Sequence, residues 1–263
     1  MKTIDRLIIE AAETIASAGR IAALTGAGIS VESGIPPFRG AGGLWEKIDP
    51  MEYAHIDAFR RDPQKVWQVL IKGMKEVLDR ARPNNAHIGL ARLEQIGKLD
   101  TLITQNVDGL HQAAGSKQVV EFHGNFAWQQ CVQCGQRIET HQLVLECIPP
   151  LCACGGVYRP ECVFFGEMIP QTALTRSQAA AVACDVMLVV GTSATVHPAA
   201  AIPEVAKHYG AVVIEINPET TPLTGRVSDH FLRGPAGAVV RRLVDAVEAR
   251  VCCCLLYTSD AAD

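Results

Sequence analysis

The chain of 263 residues lacks any apolar run approaching the roughly 20 residues of a membrane-spanning helix, so no span and no membrane association are expected. It also lacks a charge of one sign. Lys and Arg number 24 against 28 Asp and Glu, a formal −4, so there is no broad basic field and no direct nucleic-acid binding is expected. Near the start, Met1 to Asp5 carries acids close by and no signal-peptide core, from which cytoplasmic residence is expected. Cysteine, by contrast, is plentiful. Ten cysteines in a reducing compartment point to metal or free thiols rather than disulfides. The end of the chain, Cys254 to Asp263, resembles the translation of a library sequencing adapter. With Cys252 and Cys253 beside it, residues 252–263 are set apart from the native fold.

The length suffices for one large domain with a smaller insert. Ile4, Leu7, Ile8, Ala11 and Ile15 fall at helical spacing and predict a first helix over 4–18. It leads into an apolar strand at 21–25. Residues 56–80 predict one or two helices, and Asn84-Asn85 caps another that runs through Leu90 and Leu93. Apolar, β-branched runs recur at 101–104, 119–122, 186–190 and 212–216, separated by helical or turn segments. That is the pattern of an α/β fold, a Rossmann-like parallel sheet with helices on both faces. Residues 128–160, rich in Cys, Gly and Pro, break it and predict a small insert. The expected organisation is a dinucleotide-binding domain from 1–127 and 161–251, a helical lid module over 36–80, and the insert. Residues 236–250, with Val239, Leu243 and Val247, predict a closing amphipathic helix.

Two of these segments carry chemistry by spacing. Gly26-Ala27-Gly28-Ile29-Ser30 follows the first strand. Its glycines let the backbone bend and approach a ligand, and the next segment can open a helix towards a phosphate. Val31 stands where the third glycine of G-x-G-x-x-G would be, and no acid with an evident ribose role follows about 20 residues on, so an ordinary dehydrogenase site is not expected. The glycine pair by itself reads equally well as a tight turn without a ligand. Cys131-x-x-Cys134 and Cys152-x-Cys154 offer four thiolates, a set that suits structural zinc. The short second pair leaves Cys147 as an alternative to Cys152. Cys162 and Cys184, in apolar surroundings, read as core residues.

Polar clusters stand at successive strand ends: Thr104-Gln105-Asn106-Val107-Asp108-Gly109-Leu110-His111, Glu121-Phe122-His123-Gly124-Asn125, Gly191-Thr192-Ser193 and Ile216-Asn217-Pro218-Glu219. With Gly26-Ala27-Gly28-Ile29-Ser30, Ser33-Gly34-Ile35-Pro36, Phe38-Arg39-Gly40, the cysteine pairs and Phe165-Gly166-Glu167, all in one order over residues 5–250, the chain resembles the sirtuins, NAD-dependent protein deacylases. The resemblance implies catalytic roles for His123, as general base at the ribose, and for Asn106. It implies that Asn106, Asp108, Ser30 and Ile35 hold the nicotinamide end of NAD and that Gln105 contacts a ribose. Gly26, Ala27, Gly28 and Arg39 would wrap the pyrophosphate, and Gly191, Thr192, Ser193 and Asn217 would take the adenosine half. Phe38 would shield the reactive sugar carbon. Val163, Phe164, Phe165, Gly166 and Glu167 would bind the acyl-lysine protein or peptide along a strand edge, and Cys131, Cys134, Cys152 and Cys154 would hold Zn(2+).

Two departures bear on specificity. Pro37 occupies a position where many family members have Asp. Where the desuccinylase branch carries Tyr and Arg three residues apart, an alignment on Val66-Trp67 finds Leu70 and Gly73. An anionic acyl group would meet no cation there, while Leu70, Ile71 and Met74 form an apolar wall, or simply helix core. The expected activity is protein deacetylation that yields free lysine, nicotinamide and O-acyl-ADP-ribose. The rival readings are protein ADP-ribosylation on the same scaffold and a zinc-module binder without enzymatic activity.

Overall fold

The computed structural model describes residues 3–38 and 42–259, the last eight as backbone alone. Six parallel strands form the main sheet: β1 (Ile21–Thr25), β2 (Leu99–Thr104), β3 (Val119–Glu121), β7 (Val186–Val190), β8 (Val212–Asn217) and β9 (His230–Arg233), in the order β3-β2-β1-β7-β8-β9. β4 to β6 belong to a second sheet described below. Every residue of β1 and β7 is buried, because helices cover both faces of the sheet.

On one face Ile8, Ala11 and Ile15 of the first helix (Ile4–Ser17) pack with Leu90 and Leu93 of the Asn85–Gln95 helix and with Val240, Leu243 and Val247 of the closing helix (Ala236–Ser259). Ala173 and Ala181 of the Gln171–Ala183 helix and Ala206 of the Ile202–His208 helix cover the other face. Each Leu or Ile so buried contributes about 1.5–3 kcal/mol from apolar area alone. Among the described residues no helix is long and apolar enough to cross a membrane.

Three antiparallel strands form the smaller sheet: β4 (Gly124–Cys131), β5 (Arg137–Glu139) and β6 (Tyr158–Cys162), in the order β5-β4-β6. Gly124 opens β4 at φ +74°, and a Cβ there would stand 2.0 Å from the Glu161 carbonyl oxygen, so only glycine lets β4 start against β6.

The region expected as one or two helices over 56–80 forms two, Ile56–Arg61 and a continuous run from Pro63 to Arg80 that carries a π-helical turn at Trp67–Ile71. Asp62, with φ −148°, caps the Pro63 turn through its carboxylate, which accepts Lys65 N–H at 3.0 Å. The fully buried Trp67 ties this helical module to the small sheet, its Nε1–H donating to Tyr158 O at 2.8 Å. Strand β9 escaped the sequence pattern because only Leu232 of its four residues is buried.

Candidate active site and metal centre

β1 and β7 are neighbours, and their connections leave in opposite directions along the sheet, which opens a crevice beyond their carboxyl ends. A cavity of about 1030 Å³ lies there, lined by Gly26, Ala27, Gly28, Phe38, Gln105, Asn106, His123, Gly191, Thr192, Ser193 and Asn217. The glycines earn their place differently from the sequence reading. Gly28 N–H donates to Gly191 O at 2.7 Å, and a Cβ on Gly28 would sit 2.7 Å from that oxygen. Gly191, at φ +63°, would place a Cβ 2.3 Å from Ile29 N. The missing side chains therefore let the loops after β1 and β7 touch. Their backbone at Gly26, Gly28 and Gly191 then forms part of the cavity floor.

His123 follows β3. Its Nδ1 lies 3.0 Å from the Gln105 carbonyl oxygen, which can only accept, so Nδ1 carries the proton and Nε2 keeps its lone pair. Burial lowers its pKa below the ordinary histidine value, against the opposing pull of that hydrogen bond. A neutral imidazole with one nitrogen anchored, on the cavity wall, can take a proton.

Asn106 is buried and donates from Nδ2 to Gly26 O at 3.2 Å and to Ser30 Oγ at 3.1 Å. Ser30 in turn donates to Asp108 Oδ2 at 2.7 Å, while Asp108 Oδ1 accepts Leu110 N–H at 2.9 Å. Behind them, His87 Nδ1 accepts Asn84 N–H at 3.2 Å, which leaves Nε2–H to face Ser30 Oγ at 3.4 Å. Of the expected nicotinamide set, only Asn106 lines the cavity. Ser30 and Asp108 stand behind it as its support, and Ile35 is tied to Ser30 through its N–H at 3.3 Å. His111, the last residue of the strand-end cluster after β2, lies 4.8 Å ring to ring from His87, a buried member that sequence reasoning missed. A lone histidine in a helical pattern gives no sign of the network it joins.

Gln105 Nε2 donates to Thr192 Oγ1 at 2.9 Å and Asn217 Nδ2 to Thr192 O at 2.8 Å, which joins the ends of β2, β7 and β8. Ser193 Oγ meets Thr195 Oγ1 at 2.9 Å. Phe38 stacks on Trp45 with ring centroids 5.3 Å apart, and Trp45 meets Phe165 at 6.2 Å, so Trp45, also unremarked in the sequence, completes an aromatic rim. Arg39 lies outside the described residues.

Val163 to Glu167 all border the cavity. Val163 N–H donates to His123 O at 2.9 Å, so this segment is tied directly to His123. The strand edge expected here is partly taken. Phe165 N–H donates to Ala54 O and Phe165 O accepts Ile56 N–H, both at 2.9 Å, so a substrate backbone would have to pair with the flanking residues. Glu167 accepts from both terminal nitrogens of Arg159, each at 2.7 Å, and from Phe164 N–H, which pulls its carboxyl below the usual range against the cost of its burial.

In the small sheet the four sulfurs of Cys131, Cys134, Cys152 and Cys154 lie within 4.8 Å of one another, with Cys131–Cys154 at 3.5 Å and Cys134–Cys152 at 3.7 Å. A tetrahedral zinc with bonds of about 2.3 Å sets its sulfurs roughly 3.8 Å apart, so the cluster fits that ion. Cys147 is exposed and outside the cluster, whereas Cys152 is within it. Burial pushes the thiols of Cys162 and Cys184 up; Cys184 is in the core as expected, whereas Cys162 is half-buried and borders the cavity.

The family model described as Sir2 family matches residues 26–198, the stretch that holds the crevice and the cysteine cluster. The chain belongs to the Sir2 family. An "NAD-dependent protein deacylase 2" of Pyrobaculum aerophilum is 49% identical over 241 residues, 91% of this chain and 96% of that protein. An "NAD-dependent protein deacylase" of Pyrococcus furiosus is 45% identical over 244 residues, 90% of this chain and 97% of its own length. Among solved structures, a Sir2 homologue in complex with NAD superposes with a TM-score of 0.84 at 45% identity, covering 92% of this chain and 94% of that one. A Sir2 protein bound to a myristoylated histone peptide superposes at 0.79 with 35% identity, covering 93% of this chain and 97% of the other. For this Sir2 chain the α/β sheet with its cysteine insert, NAD as cofactor and a zinc site all follow.

Proposed function

We propose that this chain is an NAD-dependent protein-lysine deacylase that acts as a deacetylase, with free lysine, nicotinamide and O-acyl-ADP-ribose as products. The observation that carries the reading is His123: a neutral imidazole on the cavity wall, its Nδ1–H held by Gln105 O and its Nε2 left to accept a proton. The names of the relatives agree with this activity and do not favour ADP-ribosyl transfer to protein.

Bound NAD supplies a ribose that accepts the acyl group and a nicotinamide that leaves. The chain's residues do the rest. The Gly26–Gly28 and Gly191–Ser193 loops form the cradle for the dinucleotide. Asn106, fixed by Gly26 O and Ser30, presents its amide at the nicotinamide end, and the Asp108–Ser30 bond keeps Ser30 oriented to accept from it. His123 takes the proton of a ribose hydroxyl at Nε2. Phe38, Trp45 and Phe165 would exclude water from the reacting carbon of the dinucleotide. The zinc site lies in the small sheet. Its closed four-sulfur shell leaves no open position for substrate, so it supplies stability. A reducing cytoplasm suits a chain whose clustered thiolates must stay unoxidised to hold metal.

The acyl end meets Leu70, Ile71, Met74, Val107, Phe126 and Phe164, an apolar surface that suits neutral acyl groups. Succinyl- and malonyl-lysine should be poor substrates, because burying a carboxylate without a partner is costly. A panel of acyl-lysine peptides with NAD, read by mass spectrometry, tests the reading. Loss of acetyl in step with nicotinamide release is expected. Acetyl loss that does not need NAD, or gain of ADP-ribose on protein in its place, would overturn it.

A further inference from the structure

Glu215 lies in the interior of β8, 1% exposed, and its partners are three hydroxyls rather than a cation. Thr221 Oγ1 donates to Oε1 at 2.5 Å. Thr224 Oγ1 and Ser228 Oγ donate to Oε2 at 2.8 and 2.7 Å. All three belong to the loop between β8 and β9. The hydroxyls are oriented, not merely near. Thr221 Oγ1 also accepts Leu223 N–H at 3.1 Å, and Thr224 Oγ1 accepts Thr221 N–H at 3.0 Å. Donors therefore run from loop N–H to hydroxyl to carboxylate, and the carboxylate is the acceptor on which the three loop hydroxyls converge. A buried carboxylate is costly unless its lone pairs are filled, and three O–H donors fill them here.

The same loop is a wall of the cavity. Asn217, Pro218, Glu219, Thr220, Thr221 and Pro222 all line it. We propose that Glu215 is a positioning residue that sets this wall and, through it, the affinity for the adenosine half of NAD. It touches no substrate, since it stands behind the wall. The inference rests on the deacylase reading, which places NAD in this cavity with its adenosine half near Asn217.

Glu215→Gln has nearly the same shape but carries an NH₂ where one oxygen was. If its oxygen accepts from Thr224 and Ser228, its NH₂ faces Thr221, whose O–H then has no acceptor. Thr224→Val removes one arm of the staple without touching the carboxylate. Both variants should keep kcat within about twofold and leave KM for the acyl peptide unchanged. KM for NAD and the calorimetric Kd for ADP-ribose should each rise about 3- to 10-fold, the worth of one buried hydrogen bond. A merely structural role would lower the active fraction or the melting temperature and leave both constants of the folded protein alone. Unchanged ADP-ribose affinity in the folded variants, or a fall in kcat and peptide affinity as large as the loss for NAD, would overturn the inference. Should Glu215→Gln fail to fold, Thr224→Val gives the same reading by itself. A wild type that does not bind ADP-ribose sinks the deacylase reading as well; a wild type that binds it no better than the variants do sinks this inference alone.

Discussion

The two sheets are held together by opposite means. The parallel sheet sits between two extensive apolar clusters and needs no cross-link. The antiparallel sheet has a small buried cluster of its own, Cys131, Cys152 and Tyr158 with Ile138 and Leu143 packed against it, and shares a second through Phe126, which packs with Trp67 and Phe59 of the helical module. At the end where the four cysteines cluster the apolar core is small, and four thiolates around one ion contribute there what apolar area does not. The division extends to function. Chemistry is placed on the sheet that is rigid without help, at the open ends of its strands, and the metal is confined to the sheet that needs it.

Removing the metal should give the largest effect and the sharpest contrast. One zinc per chain is expected by elemental analysis. Structural zinc is worth on the order of 10 kcal/mol, so chelation should strip hydrogen-exchange protection from β4 to β6 while β1, β2 and β7 keep theirs. Equal protection in the small sheet before and after chelation would break the comparison.

Next in size, His123→Ala should lower kcat by about 10²- to 10⁴-fold, the usual worth of a positioned base, with zinc content and melting temperature unaltered. Near-normal turnover would remove the chemistry from the large sheet's edge. Because burial lowers the pKa of His123, the wild-type rate should hold its plateau below the ordinary histidine range before it falls with acid.

A smaller effect concerns the helical module between the sheets. Leu70→Tyr with Gly73→Arg should raise the ratio of succinyl to acetyl turnover by about tenfold, the worth of a charge-assisted pair. Leu70 lines the cavity, whereas Gly73 is exposed beside it, with nothing within 4 Å of where a Cβ would stand, so the arginine must reach back from the surface to meet the acyl carboxylate. Peptide competition measures the ratio. A wild type that already removes succinyl faster than acetyl would refute the argument.

The smallest effect concerns acid and the large sheet alone. Burial lowers the His87 pKa to about 4, against the opposing pull of Asp108, and burial together with the neighbouring His87 holds His111 well below 6.5. In an unfolded chain both would protonate near 6.5, so between about 6.5 and about 4 the unfolded state binds more protons. Stability contributed by the neutral rings is present above that window and is lost as pH falls through it. Melting temperature should therefore drop by several degrees from pH 7 to pH 5. His87→Gln cannot titrate and keeps an acceptor for Asn84 N–H, so its drop should be shallower. Equal drops in the two proteins would clear His87 of the effect.

Much of this was legible in the sequence. The buried runs at 21–25, 186–190 and 212–216 announced a parallel sheet covered on both faces, because strands shielded on both sides leave no polar face to alternate. His123, Asn106 and the cavity loops stood at strand ends, where the fold places its ligands. The cysteine spacing announced the metal. The reasons behind some of these residues were not legible. Gly28 and Gly191 lie far apart in the chain, so nothing local says that each is glycine because of the other. Thr221, Thr224 and Ser228 read as ordinary turn residues until Glu215 is seen among them, and His87 reads as a helix residue until Ser30 is placed beside it. Spacing and period are properties of neighbours along the chain, so the sequence by itself determined the elements, the metal ligands and the residue types at the crevice. Which side chain orients which depends on contacts between segments distant in sequence. Those contacts decided that Asn106 faces the cavity while Ser30 and Asp108 support it, and that Phe165 spends its backbone on residues 54–56.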